Sequence, residues 1–262
     1  MDKEIFFKKY ETRGADYHYQ QINKANLTVF NAYVLARYQI EMQQLIRSLK
    51  KYSSNSIIKV LDIGCGDGVF FYLFNKVKQN KKIQLFGVDN SKIALDIAKK
   101  KNPIDTFKLA DAYALPFNDN YFDIIISSDI IEHLLKVMDM LSEIKRVGKN
   151  ESTIIIGTPI RFLESPKDKM HQKEFYPQEF KVLLDKYFNN IKIIKSHKLR
   201  YFLYYEKSKI FFRRKIFIYR YLINFLAIYL KKNLFLQKNK LNDKQEFFSY
   251  MFAIGEIRKD NI

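Results

Sequence analysis

The sequence predicts an α/β fold, a three-layer sandwich in which a mostly parallel sheet lies between two layers of helices. Three observations lead there. Short apolar runs alternate with helix-length amphipathic stretches between residues 57 and 195. The first of these runs, residues 57–63, stops at Gly64, Gly66 and Gly68, three glycines at alternate positions behind Asp62. Residues 122–127 carry Ile124, Ile125 and Ile126 in succession, which suits a parallel strand covered on both faces. A chain of 262 residues with 47% hydrophobic content buries one substantial core with an elaboration.

Taken in order, residues 1–26 mix polar and aromatic side chains around Gly14 and Tyr17-His18-Tyr19, and read as an arm. From 27 to 49, Val29, Tyr33, Ala36, Ile40, Leu45 and Leu49 recur at helical spacing, and Ser53, Ser54 and Asn55 end that helix. Strand one, 57–63, leads into a helix over 69–77. Strand two, 83–88, leads into a helix over 91–101 capped by Asn90 or Ser91. A third strand fits 106–109, and a turn at 119–121 opens the fourth, 122–127. A helix over 131–147 and a fifth strand over 152–157 follow. Pro177 starts a helix reaching about 187, as proline does at a first helical position, and strand six spans 191–195. The last apolar strand, 247–257, comes only after a long detour. The expected organisation is an arm and lid helix (1–52), a core (53–197), a basic aromatic helical insertion (198–245) and the last core strand (246–262).

Charge is concentrated at one end. Residues 195–262 hold 16 Lys/Arg against 5 Asp/Glu, and 195–240 hold 13 against the single acid Glu206, within a chain of net charge +18. A general lysine-rich bias would raise charge everywhere, so this end has a basic task or a basic neighbour. One cysteine, Cys65, allows no internal disulfide and fits a reducing, cytoplasmic setting. Met1 to Tyr10 alternate charge with aromatics, unlike a signal peptide, and no apolar run approaches the roughly 20 residues of a spanning helix.

The residues with chemistry to offer fall at strand ends, where open α/β sheets bind ligands. The glycine spacing is G-x-G-x-G, with Val69 where a dinucleotide fingerprint would need its third glycine. Asp62 before it argues against a phosphate. Strand two ends in Asp89-Asn90, where a carboxylate accepts a fork of hydrogen bonds from a ribose. Strand three is followed by Asp111-Ala112, placed for the amino group of an adenine, and strand four by Ser128-Asp129. Acids at four successive strand ends repel an anionic cofactor and attract a sulfonium bearing a free amino group.

These motifs, VLDIGCGDG, FGVDNS, LADAYALPFNDNYFDIII, SSDIIEHL and IIIGTP, resemble those of the class I S-adenosylmethionine-dependent methyltransferases over roughly residues 57–195. The branch most similar contains quinone-biosynthesis O-methyltransferases and methyltransferases of cell-surface glycan pathways. The resemblance implies a seven-stranded sheet with an antiparallel last strand, and S-adenosyl-L-methionine as cofactor. It implies that Asp62, Gly64, Gly66 and Gly68 flank the methionine part, that Asp89 and Asn90 hold the ribose, that Asp111 and Ala112 lie by the adenine, and that Ser128 and Asp129 line the methyl-donor end. No metal site is expected.

A hydroxyl acceptor benefits from a general base, and histidine suits that task near neutral pH. His171 is the foremost candidate, in a segment that leaves strand five and crosses above the cofactor end; its His-x-x-x-Phe pattern is similar to one in the same branch. His133 follows Glu132 in the first turns of a helix, His18 lies in the arm, and His197 is set aside at the tail of strand six. Glu174 is a weaker partner for His171.

In the insertion, Phe212, Ile216, Tyr219, Ile223, Leu226 and Leu230 form one stripe on a helical reading, and Lys209, Arg213, Arg220, Asn224 and Lys231 another. Aromatics opposite Lys/Arg suit a helix in a membrane interface, and the run is too short to span. An apolar stripe packed on the domain or on a second subunit, and a nucleic-acid grip, stand beside that reading. The functional expectation is methylation of an oxygen on a small molecule, lipid or lipid-linked glycan near an anionic membrane surface. The alternatives are an RNA methyltransferase, disfavoured by Ser-Ser-Asp-Ile after strand four, and a non-catalytic cofactor-binding scaffold.

Overall fold

A computed structural model describes residues 9–77, 81–164, 166, 168, 170–211, 214–236 and 247–259. Its main sheet has seven strands: β1 (Ile57–Ile63), β2 (Lys82–Asp89), β3 (Thr106–Leu109), β4 (Phe122–Ser128), β5 (Gly148–Pro159), β6 (Asn189–Lys198) and β9 (Phe248–Glu256). They lie in the order β3-β2-β1-β4-β5-β9-β6. The pairs from β3 through β5 are parallel, and β9 runs antiparallel to both β5 and β6. The order reverses between β1 and β4, the place where a doubly wound sheet opens a crevice at its carboxyl edge. The three-layer expectation with an antiparallel last strand holds.

Helices α3 (Ala32–Leu49), α4 (Val69–Asn75) and α5 (Lys92–Lys101) precede α6 (Val137–Val147) and α7 (Pro177–Leu184) in the chain. Local chemistry sets their ends. The Asn31 side chain accepts from the Val34 amide to start α3, and Ser91 does the same for Ala94 at α5. Apolar side chains close both sheet faces. Leu61, Ile63, Ile125, Ile154, Ile156 and Leu141 share one cluster, and Val60, Ile124, Ile126, Phe71, Leu95 and Leu45 share the other. The alternation of Ile124 and Ile126 with Ile125 between the two is the two-sided burial that the triple-isoleucine run predicts.

One helix departs from expectation. The predicted 131–147 helix is a 3-10 turn, Ile131–His133, then an extended residue, Leu134, before α6 begins at Val137. An α-helix would use the Glu132 carbonyl for an amide four residues on. Instead that carbonyl accepts from Gln172 (2.7 Å) and Lys173 (3.1 Å), so the loop after β5 interrupts the helix.

The arm forms α1 (Lys9–Arg13) and α2 (Tyr17–Ile22), which lie over the glycine turn. His18 donates its amide to Asp67 Oδ2 (3.0 Å) and sets Nδ1 against Oδ1 (3.1 Å). The approach is close: a Cβ on Gly66 would stand 2.0 Å from the Tyr10 hydroxyl.

The segment after β6 holds α8 (Leu199–Glu206), a hairpin of β7 (Lys209–Phe211) and β8 (Arg214–Ile216), and α9 (Ile218–Tyr229). This corrects the single long helical stripe. Phe212 and Arg213 lie outside the described residues, and the helix starts only at Ile218. Its faces are also redistributed: Asn224 and Arg220 of the polar stripe turn inward beside Ile223, while Tyr219 and Leu230 of the apolar stripe are exposed. Asn224, assigned to the polar stripe, is fully buried: its Oδ1 accepts from Tyr205 Oη (2.7 Å) and the Ala32 amide (3.2 Å), while Nδ2 donates to the Phe30 (2.6 Å) and Leu27 (3.3 Å) carbonyls. Arg220 turns the same way, pairing with Glu206 (2.7 Å) over the Phe217 and Tyr205 rings. The sequence pattern puts polarity outward by default, but an amide that satisfies four groups, three of them from residues 27–32, belongs inside. Ile223, Ala227, Tyr205 and Phe235 complete a third apolar cluster with Phe30, Leu35 and Ala36. The insertion therefore braces the start of α3.

Replacing Asn224 with Leu strips partners from several buried polar groups, each costing about 1–3 kcal/mol when left unsatisfied. The expected loss is about 3 kcal/mol in urea unfolding followed by circular dichroism. A loss below about 0.5 kcal/mol would refute the bracing role.

Candidate functional site

At the carboxyl edge the strands open into a cavity of about 670 Å³. Its floor is the glycine turn. The amides of Gly64 and Cys65 both donate to the Val88 carbonyl (2.7 and 3.0 Å), tying the end of β1 to the end of β2. Gly64 has φ +78°, a left-handed value, and a Cβ there would meet Ile130 Cδ1 at 2.1 Å. Asp89 locks the turn from the side: Oδ2 accepts from the Gly66 amide (2.9 Å) and Oδ1 from Ser91 (2.8 Å). Asp89 thereby ties the glycine turn to the start of α5 at the edge of the cavity.

Of the residues expected from sequence, Asp62, Gly64, Asp89, Asn90, Asp111, Ala112, Ser128, Asp129 and His133 line this cavity. Gly66 and Gly68 shape the turn beneath it without forming its wall. Asp111 Oδ1 also accepts from the Tyr113 amide (3.0 Å), a local turn that holds its loop in place. The arm and α3 are expected as a lid, but Tyr10, Arg37, Tyr38 and Glu41 are not singled out in the sequence; they are on the wall with His18. Arg37 and Glu41 stand four residues apart, a spacing as common in solvated surface pairs as in sites. Nothing local marks them as buried.

The electrostatics are those of crowded acids. Asp129, at φ +57°, is ion-paired with Arg37 and accepts from Tyr250 Oη (3.0 Å). Glu41 accepts from Ser128 Oγ (2.6 Å) and is pushed up to about 7, chiefly by burial, with Asp129 adding to the rise and Ser128 and Arg37 opposing it. Burial likewise holds Asp62 well above the usual carboxylate range, reinforced by Glu41 and Asp89. Such a site gains by receiving positive charge, and its acceptors match hydroxyl and ammonium donors.

His171 is not on the wall; its neighbour Gln172 is. Its ring packs edge-on against His133 with centroids 4.8 Å apart, and Nδ1 meets Glu174 Oε1 at 2.7 Å. Burial would lower its pKa, but Glu174 and Glu132 outweigh that and the net shift is upward. Glu132 is pushed up to about 8, by burial first and Asp129 second, against the pull of His171. One candidate ligand atom from each of Glu132, His133 and His171 lies within 4.8 Å of the others. His197 is structural: Nε2 faces the Tyr33 carbonyl (3.0 Å), Nδ1 meets Ser196 Oγ (2.9 Å), and burial lowers it to about 3. A second groove, shallower and lined by Arg47, Lys51, Lys181 and Lys192, receives none of the strand-end acids.

Known proteins share this architecture. A family model described as a methyltransferase domain matches residues 54–207. An uncharacterized protein of Methanocaldococcus jannaschii is 28% identical over 144 residues, 55% of this chain and 56% of that protein. The ubiquinone biosynthesis O-methyltransferase of Pelagibacter ubique is 32% identical over 124 residues, 46% of this chain and 49% of that enzyme. The chain thus spans about half the length of these curated relatives. Among solved structures, a SAM-dependent methyltransferase from Archaeoglobus fulgidus superposes with TM-score 0.53 at 21% identity, covering 84% of this chain and 94% of that one. The match spans both the glycine turn and the strand ends that hold the acids, and the donor set fits a cationic nucleoside: the chain belongs to the methyltransferase-domain family, with the class I fold and S-adenosylmethionine as its cofactor.

Proposed function

We propose that this protein methylates an oxygen of a lipid or lipid-linked acceptor at an anionic membrane surface. The observation that carries the membrane part is α9. Asn224 and Arg220 face the protein, so Ile218, Leu222, Phe225 and Tyr229 align on the opposite face, and the last three are 54%, 45% and 61% exposed. Leu203 and Tyr204 of α8 are exposed as well, and exposed lysines follow both helices, Lys207 after α8 and Lys231 and Lys232 after α9. An apolar, aromatic face with lysines at the helix ends complements lipid below a layer of anionic headgroups. Among the described residues no helix is long and apolar enough to cross a membrane, so the contact is peripheral.

When bound, S-adenosylmethionine supplies a methyl group on a positively charged sulfur, which passes to a nucleophile while sulfur keeps the bonding electrons. Asp89 and Asn90 would hold the ribose hydroxyls, Asp111 and Ala112 would border the adenine, and Asp62 with Glu41 would offset the positive charge. Ser128 fixes Glu41, and Arg37 holds Asp129 at the methyl-donor end. His133, on the wall and backed by His171 and Glu132, marks where the acceptor's hydroxyl would sit. Similarity to O-methyltransferases of ubiquinone biosynthesis supports oxygen as the nucleophile.

Four measurements test this reading. Asp89→Ala is expected to weaken S-adenosylmethionine binding at least tenfold by calorimetry; unchanged affinity would remove the ribose assignment. Glu41 is half-protonated near pH 7 in the cofactor-free site, so binding a cation below that pH must expel its proton. The groups facing it are Ser128, Asp129, Arg37 and Asp62. Affinity should therefore fall about tenfold per pH unit below 7 and level off above it, and Glu41→Gln should flatten that slope. For the membrane, Leu222→Glu with Phe225→Glu should abolish sedimentation with phosphatidylglycerol vesicles while leaving cofactor binding intact. Sedimentation that persists, or equal binding to neutral vesicles, would sink the lipid assignment, and salt-sensitive binding to RNA instead would favour the nucleic-acid alternative. The acceptor class itself is read by incubating lipid extract with methyl-labelled cofactor and following label into the organic phase.

A further inference from the structure

We propose that Glu132, His133 and His171 bind one divalent first-row transition-metal ion, which borders the cavity through His133 and holds the acceptor's hydroxyl. The second half of this statement rests on the methyltransferase reading above; the ion site itself does not.

The three side chains come from two parts of the chain held together by the backbone. The Glu132 carbonyl takes the amides of Gln172 and Lys173, which docks the His171 loop on the 3-10 turn that carries Glu132 and His133. Their candidate ligand atoms lie within 4.8 Å of one another. Small side-chain rotations close that spacing onto an ion about 2.0–2.2 Å from each. Both rings also have the outer partner that metal-bound histidines use. His133 Nδ1 meets the Met170 carbonyl at 2.9 Å, and His171 Nδ1 meets the buried Glu174 carboxylate at 2.7 Å. A carbonyl and a carboxylate both accept, which places the proton on Nδ1 and the lone pair on Nε2.

Glu132 supplies the independent sign. Its residue is 1% exposed, and Oε2 accepts from Thr158 Oγ1 (3.0 Å), but Oε1 is buried with no hydrogen-bond partner. A buried carboxylate oxygen without a donor is costly, and a cation between it and two imidazoles removes that cost. Two imidazoles with one carboxylate favour zinc, iron, cobalt or manganese over magnesium or calcium. Three protein ligands leave coordination positions for a hydroxyl. A hydroxyl on the ion is more acidic; it loses its proton to solvent as its oxygen bonds the methyl carbon, and no oxidant or reductant is needed.

The test is Co²⁺ titration of the untagged, metal-stripped full chain, read by the visible absorption of bound Co²⁺ with Zn²⁺ competition. One Co²⁺ per chain is expected. Glu132→Gln and His171→Ala should each weaken it at least tenfold, and Glu174→Gln by about 10–100-fold. Glu179→Gln, on the surface of α7, should leave it unchanged. Should Glu132→Gln fail to fold, the His171 and Glu174 variants decide the matter. Absence of Co²⁺ uptake by the wild type, or uptake by the His171 and Glu174 variants equal to the wild type's, overturns the site. Calorimetry with S-adenosylmethionine on the same samples keeps the two readings apart. Cofactor binding without Co²⁺ uptake removes the metal alone, and Co²⁺ uptake without cofactor binding removes the methyltransferase reading alone.

Discussion

Carboxylates crowd the carboxyl edge of this sheet, and the free energy of keeping them there shapes what surrounds them. Glu41, Asp62, Asp89, Asp129 and Glu132 all lie at or beside one cavity. Asp129 has Arg37 against it, whereas burial drives Glu41, Asp62 and Glu132 toward their neutral forms. Like charges at short range cannot all ionise in a dry site without a cation among them. A fold that retains such a set is built to receive positive charge. The charge of a sulfonium nucleoside suits these acids, and beside the cavity Glu132 keeps one buried oxygen without a hydrogen-bond partner.

The second organising feature is the interrupted helix after β4. Surrendering the Glu132 carbonyl to the loop of residues 170–174 costs the chain an α-helical turn. In return it brings His171 and Glu174 beside His133, with a ring contact between the histidines. The break in regular structure and the clustering of titratable groups have one cause.

The insertion shows how a buried amide can draw polar positions of an amphipathic pattern inward. Asn224 satisfies groups from residues 27–32 and Tyr205, which orients α9 with its lysine-poor apolar face outward. The same contact couples the insertion to α3, and hence to Arg37 and Glu41 on the cavity wall. Whatever seats on the exposed face of α9 therefore bears on a segment continuous with the cofactor site.

Sequence by itself determined the layered fold, the glycine turn and the acids at the strand ends, because strand periodicity, glycine spacing and turn chemistry are local properties. Asp62, Asp89, Asp111 and Ser128 needed only their place after a strand to be found. Tertiary structure alone decided the rest. Arg37 and Glu41 look like an ordinary helical pair until α3 lies over the acids. His171 reads as the residue facing the ligand, yet the loop's docking on Glu132 gives that wall to Gln172 and His133. Asn224 reads as solvated until the groups it must satisfy are in place. In each case the deciding partner is a buried polar group distant in the chain, and which donor meets which acceptor is set only when the segments are brought together.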